Sequence, residues 1–90
     1  MAATQRRASD AIRAEEGLLS AREIREIREE LGLTQQGLER LLGVGPKTVV
    51  RWERGTVFQN RSTDSLLRVL RAFPEASGFL AERHGVVLHP

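Results

Sequence analysis

The chain has 90 residues, enough for one small domain around a single core. Hydrophobic residues make up 40% and charged residues 29%, the net charge is +2, and the absence of cysteine excludes disulfides, thiolate catalysis, zinc ribbons and iron–sulfur clusters. No apolar run approaches the roughly 20 residues of a membrane span, and MAATQRRASD lacks the apolar stretch of a secretory leader, so a cytoplasmic protein is expected.

Helices separated by short turns are predicted along the chain. Residues 8–16 favour a helix that Gly17 stops. Ser20 with Glu23 forms a capping-box pattern, opening a second helix to about Glu30 with Ile24, Ile27 and Leu31 on one apolar stripe. Its charged remainder reads as a solvated face. Thr34 is the next N-cap candidate; Leu38, Leu41 and Leu42 supply the buried side, and Gly43 follows. Gly45-Pro46 restarts the chain into a third core helix running to Arg54, with proline in its first turn. Residues 56–61 form a loop that tucks Val57 and Phe58 inward. Ser62 or Thr63 caps a fourth helix with Leu66, Leu67, Val69, Leu70 and Phe73 facing the core. Pro74 opens a fifth helix to about Arg83, and HGVVLHP is either a short strand or an extended tail.

The modest net charge hides an uneven distribution. Residues 8–39 set eight acids against four arginines. Residues 40–71 carry Arg40, Lys47, Arg51, Arg54, Arg61, Arg68 and Arg71 against only Glu53 and Asp64. A basic centre of this kind attracts polyanions.

The informative stretch is TQQGLERLLGVGPKTVVRWERG, Thr34 to Gly55. Two short helices joined by a glycine-containing turn make a helix-turn-helix. Gly43 tolerates the left-handed angles of the turn. Val44 is the apolar pin between the helices, and Val49 and Trp52 lie at i, i+3 for the inside of the second helix. Lys47, Thr48, Arg51 and Arg54 are then outward, and Val50 is exposed where an apolar side chain can meet a thymine methyl. Trp52 reads as core and Glu53 as structural. His84 and His89 read as tail residues. No nucleophile–base pair, phosphate-cradling loop or metal-ligand cluster is recognisable, so no catalysis, cofactor or metal is expected.

These residues resemble the helix-turn-helix of the XRE and Cro/repressor class, in Thr34-Gln35, Leu38, Leu42-Gly43-Val44 and Trp52-Glu53-Arg54-Gly55. The fuller strings GVGPKTVVRWERG and QNRSTDSLLRVLRAFPE resemble the C-terminal half of MqsA-type antitoxins, over about Leu18 to Arg83. The resemblance implies an all-α, compact five-helix lambda-repressor-like domain over residues 18–84. A helical arm or linker over residues 1–17 precedes it, and a tail over 85–90 follows. Such antitoxins begin with a cysteine-ligated zinc domain, which this chain lacks; it is either a fragment of a longer protein or a relative without that module. The class also has a small residue where Glu39 stands, so Glu39 is expected to bend outward or to widen the helix crossing.

Arg51 is expected to read a base, since its fork suits guanine O6 and N7. Lys47 and Thr48 complete the base-reading set, although both can also meet phosphate. Thr34, Gln35, Arg54, Asn60 and Arg61 are expected along the DNA backbone, with Thr34 also a helix cap. By resemblance, Gln35 contacts phosphate or buttresses the recognition helix. The expected function is a sequence-specific regulator that binds double-stranded DNA as a homodimer on a palindromic operator. By resemblance it is an antitoxin autorepressing its own toxin–antitoxin operon in a bacterial nucleoid, with a cognate toxin as partner. The alternative is a protein-interaction module that neutralises a toxin, with the helix-turn-helix as scaffold. Phe79, Leu80, Val86, Val87 and Leu88 either form a dimer surface or close the core.

Overall fold

The structure, a computed structural model, describes residues 10–88. The start of the first expected helix at residue 8, and His89, lie outside these residues. Among them the regular elements are all helical: α1 (described over residues 10–15), α2 (Ala21–Glu30), α3 (Gln35–Leu42), α4 (Thr48–Arg54), α5 (Arg61–Ala72) and α6 (Ala76–His84). The domain is all-α and compact, with α4 lying against both α2 and α3, α5 against α2, and α6 against α3 and α5.

Local chemistry sets the helix starts. The Ser20 hydroxyl accepts from the Glu23 amide at 3.1 Å while the Glu23 carboxylate accepts from the Ser20 amide at 3.0 Å, closing the capping box. Thr34 Oγ1 accepts from the Gly37 amide at 2.9 Å and opens α3. The fourth core helix starts earlier than expected. Asn60, not Ser62 or Thr63, is its N-cap, with Oδ1 accepting from the Thr63 amide at 2.8 Å. The third starts later: Pro46 and Lys47 form a turn, Lys47 takes φ 67°, and the helix begins at Thr48. Gly43, at φ 73° and ψ 30°, ends α3 in the left-handed region that the turn requires.

The core gathers Leu19, Ile24, Ile27, Leu33, Leu38, Leu41, Val49, Trp52, Leu67, Leu70 and Ala81. Three residues expected inside are exposed: Val57, Val69 and Phe73. On α5 the buried face is Asp64, Leu67 and Leu70, and at 100° per residue Val69 points away from it. Phe73 precedes Pro74, which pulls it out of helical geometry to φ −132°. In the loop, Gln59 takes the inner place expected of Val57; its Nε2 donates to the Leu19 carbonyl at 3.0 Å and to Asp64 Oδ1 at 2.9 Å. The tail over 86–88 is neither helix nor strand; Val86 and Leu88 pack on the core while Val87 faces out.

Asp64 joins the two halves of the domain. It accepts from the Leu19 amide at 2.8 Å, from Gln59, and from Arg68 Nε at 2.8 Å. Burial alone pushes its carboxyl up, but the Leu19 amide, Arg68 and Gln59 together outweigh it and hold the group below its ordinary value. Because the unfolded chain binds this proton more readily, the stabilisation is complete above the ordinary carboxylate range. It is lost as the pH falls through the lowered value. Asp64→Asn is expected to cost about 1–3 kcal/mol at neutral pH. Urea titrations between about pH 6 and about pH 2 should then show a smaller acid loss in the variant than in the wild type.

Candidate nucleic-acid interface

The second helix of the motif, α4, is short and amphipathic. Val49 and Trp52 turn inward, Trp52 being 3% exposed. Arg51 and Arg54 stand outward, Thr48 is half-buried, and Lys47 is exposed in the turn just before the helix. Val50, expected on the open side, is half-buried beside Gln35, Gln36, Glu39, Pro46 and Lys47 in the cleft between α3 and α4. Among the described residues Lys47, Arg51 and Arg54 make no ion pair, so their charge is presented to solvent. Two acids of α3 and α4, Glu39 and Glu53, are both buried.

Glu39 departs from the outward course that was one of the two expected of it. It does not bend outward; its Oε2 accepts from the Val49 amide at 3.0 Å. The physical reason lies at the start of α4, where Lys47 gives no side-chain cap. The first amides of a helix have no partner within it and carry the positive end of its dipole. A carboxylate reaching across from α3 satisfies both.

Glu53 gathers three helices. Arg28 of α2 donates twice, Nε to Oε2 at 2.8 Å and Nη2 to Oε1 at 3.1 Å. Arg25 adds Nε at 3.4 Å and Gln35 of α3 adds Nε2 at 3.2 Å. Arg28 also donates to the Leu33 carbonyl at 3.0 Å, in the connection to α3. Hydrogen bonding to Glu53 holds the Arg28 guanidinium above its ordinary value. The Gln35 amide thus lies on Glu53, against α4.

The remaining expected contacts are spread over the first turns of α3 and α5. The side chains of Thr34 and Asn60 are engaged as caps. Arg61 is exposed and stands 3.7 Å from Glu16. Sequence reasoning missed Arg13. It is fully buried, and its Nη2 donates to the Trp52 carbonyl at 2.8 Å and to the Val57 carbonyl at 3.2 Å. Its guanidinium lies 5.0 Å from the centre of the Phe58 ring, and Nη1 donates to Asp10 at 3.4 Å. The Asp10–Arg13 spacing was its one signal, and that spacing is common on solvated helices.

Glu39→Ala is expected to destabilise the domain by about 0.5–2 kcal/mol, the usual cost of a lost N-cap. Glu39→Gln, which keeps an acceptor oxygen, should recover most of this in chemical denaturation.

A helix-turn-helix family model matches residues 24–74, more than half of the chain. The match begins within α2, includes α3 and α4, and ends just after α5. No curated protein matches the chain. No helix among the described residues is long and apolar enough to cross a membrane. With its amphipathic α4, left-handed turn at Gly43 and outward cations, the chain belongs to the XRE-type helix-turn-helix family of DNA-binding transcription regulators.

Proposed function

We propose that the chain reads a palindromic operator as a homodimer, laying α4 in the major groove. Lys47, Thr48 and Arg51 meet bases, with Arg51 forked onto a guanine edge. The observation that carries this reading is the sorting of charge around α4. Among the described residues Lys47, Arg51 and Arg54 face solvent with no ion pair, while Glu39 and Glu53 are turned inside, Glu39 accepting from the Val49 amide and Glu53 paired with Arg28. Arg54 and Arg61 contact the DNA backbone; the exposed pair of Arg61 with Glu16 is weak enough to yield to a phosphate. Thr34, Gln35 and Asn60 contribute at the N-termini of α3 and α5, where backbone amides favour phosphate.

The narrower reading is autorepression of a toxin–antitoxin operon in the bacterial cytoplasm, with a cognate toxin as partner. The strings GVGPKTVVRWERG and QNRSTDSLLRVLRAFPE, similar to MqsA-type antitoxins, support it. Exposed Phe79 and Val87, at 71% and 74%, support a self-association surface on α6 and the tail.

Selection from a random duplex pool tests the function. Arg51→Ala should cost about 1–3 kcal/mol on the selected duplex and relax preference at one position per half-site. Arg54→Ala should weaken all sequences alike and lower the salt slope by about one. Sedimentation of Phe79→Glu should give a monomer where the wild type gives a dimer. Failure to bind any duplex at low salt would refute the proposal, and absence of footprinting on the promoter of its own gene would refute the autorepressor reading.

A further inference from the structure

We infer that Arg13 is a positioning residue for DNA reading, holding the exit of the recognition helix from a helix that lies before the family-matched region. The inference rests on α4 being the reading helix. A helix as short as α4 has little stability of its own and depends on what holds its ends. Both of its flanking residues, Lys47 and Gly55, take left-handed backbone angles; Lys47 gives the start no side-chain cap, and at the end the one side chain from a neighbour in sequence is Thr56, whose exposed hydroxyl donates to the Arg51 carbonyl at 3.2 Å. Glu39 holds the front. At the back, Arg13 binds the carbonyls of Trp52 and Val57, one on each side of the turn at Gly55. A cation there also complements the negative end of the helix dipole.

These two bonds set the direction in which the chain leaves α4, the segment that carries Arg51 and Arg54. The α1 helix is itself placed by Asp10, which accepts from the Ala21 amide at 3.2 Å as well as from Arg13. Stability alone does not account for a guanidinium in this place. It is fully buried and its Nε has no partner among the described residues. An apolar side chain of similar length would fill the space without that desolvation, and replacing buried ions in this way is often neutral or stabilising. The fork does something such a chain does not do: it ties two carbonyls to one rigid plane. Residues 10–20 precede the matched region 24–74, so this clamp is an addition to the helix-turn-helix body.

The test compares Arg13→Met and Arg13→Lys with the wild type on two probes at one salt concentration. One is a duplex the wild-type chain selects from a random pool; the other is a random-sequence duplex of equal length. Arg13→Met should weaken the selected duplex by on the order of tenfold and the random duplex by less than about twofold. Arg13→Lys, which keeps the charge but not the fork, should fall between. In the free protein the Thr56 amide, bonded to the Arg51 carbonyl, should exchange faster in the methionine variant. Equal losses on both probes, or no loss on either, would overturn the inference. If Arg13→Met does not fold, the ratio between the two probes in Arg13→Lys decides, an unchanged ratio overturning it. A wild-type chain that selects no duplex removes the DNA reading and this inference with it. The Thr56 exchange rate would still show whether Arg13 holds the helix exit.

Discussion

Glu53 is the constraint on which the site depends. Its carboxylate sits on α4 yet is turned into the domain, and α2 and α3 both reach it through Arg28, Arg25 and Gln35. The two helices of the motif therefore have a polar tie of fixed geometry in addition to the apolar contact of Leu38, Leu41, Val49 and Trp52. Apolar contact is nondirectional and tolerates sliding. A two-bond Arg–carboxylate pair does not, because both partners are planar and their bonds are directional. With the carboxylate 2% exposed, loss of Arg28 would remove two of its four hydrogen bonds and leave the buried charge to Arg25 and Gln35 alone.

The same device recurs around the domain. Asp64 ties the start of α5 to the connection between α1 and α2; Glu39 ties α3 to the start of α4; Arg13 ties α1 to the end of α4. A chain of this size has little apolar area with which to specify one packing among several. Charged side chains directed at backbone amides and carbonyls supply the missing direction. Each fixes a helix end, the part of a helix that its own hydrogen bonds leave undetermined.

Much of the fold was legible because it rests on local signals. Ser20 with Glu23, Thr34, and the glycines at 17, 43 and 55 mark helix ends through chemistry that acts within a few residues. The inward Trp52 and outward Arg51 follow from helical period alone. The misplacements share one cause. Asn60 competes with Ser62 and Thr63 as a cap, and composition does not rank them. Val57 and Gln59 compete for one inner place, and the polar residue prevails because Asp64, five residues on, and Leu19, 40 residues back, both offer it partners. Glu39 and Arg13 were illegible for the same reason. Their partners on α4 and its exit are backbone groups, which carry no residue identity for a sequence to display.

Lys47 has a consequence of its own. It is the one described residue other than glycine with a positive φ, a backbone state that costs an L-amino acid roughly 1–2 kcal/mol. Its Cβ therefore leaves the chain along a direction that the following helix does not repeat, and the spacing of four to Arg51 does not align the two on a common ridge. The ammonium and the guanidinium stand as separate prongs, one mounted on a bend and the other on a rod. Glycine would relax the bend but would remove the prong mounted on it.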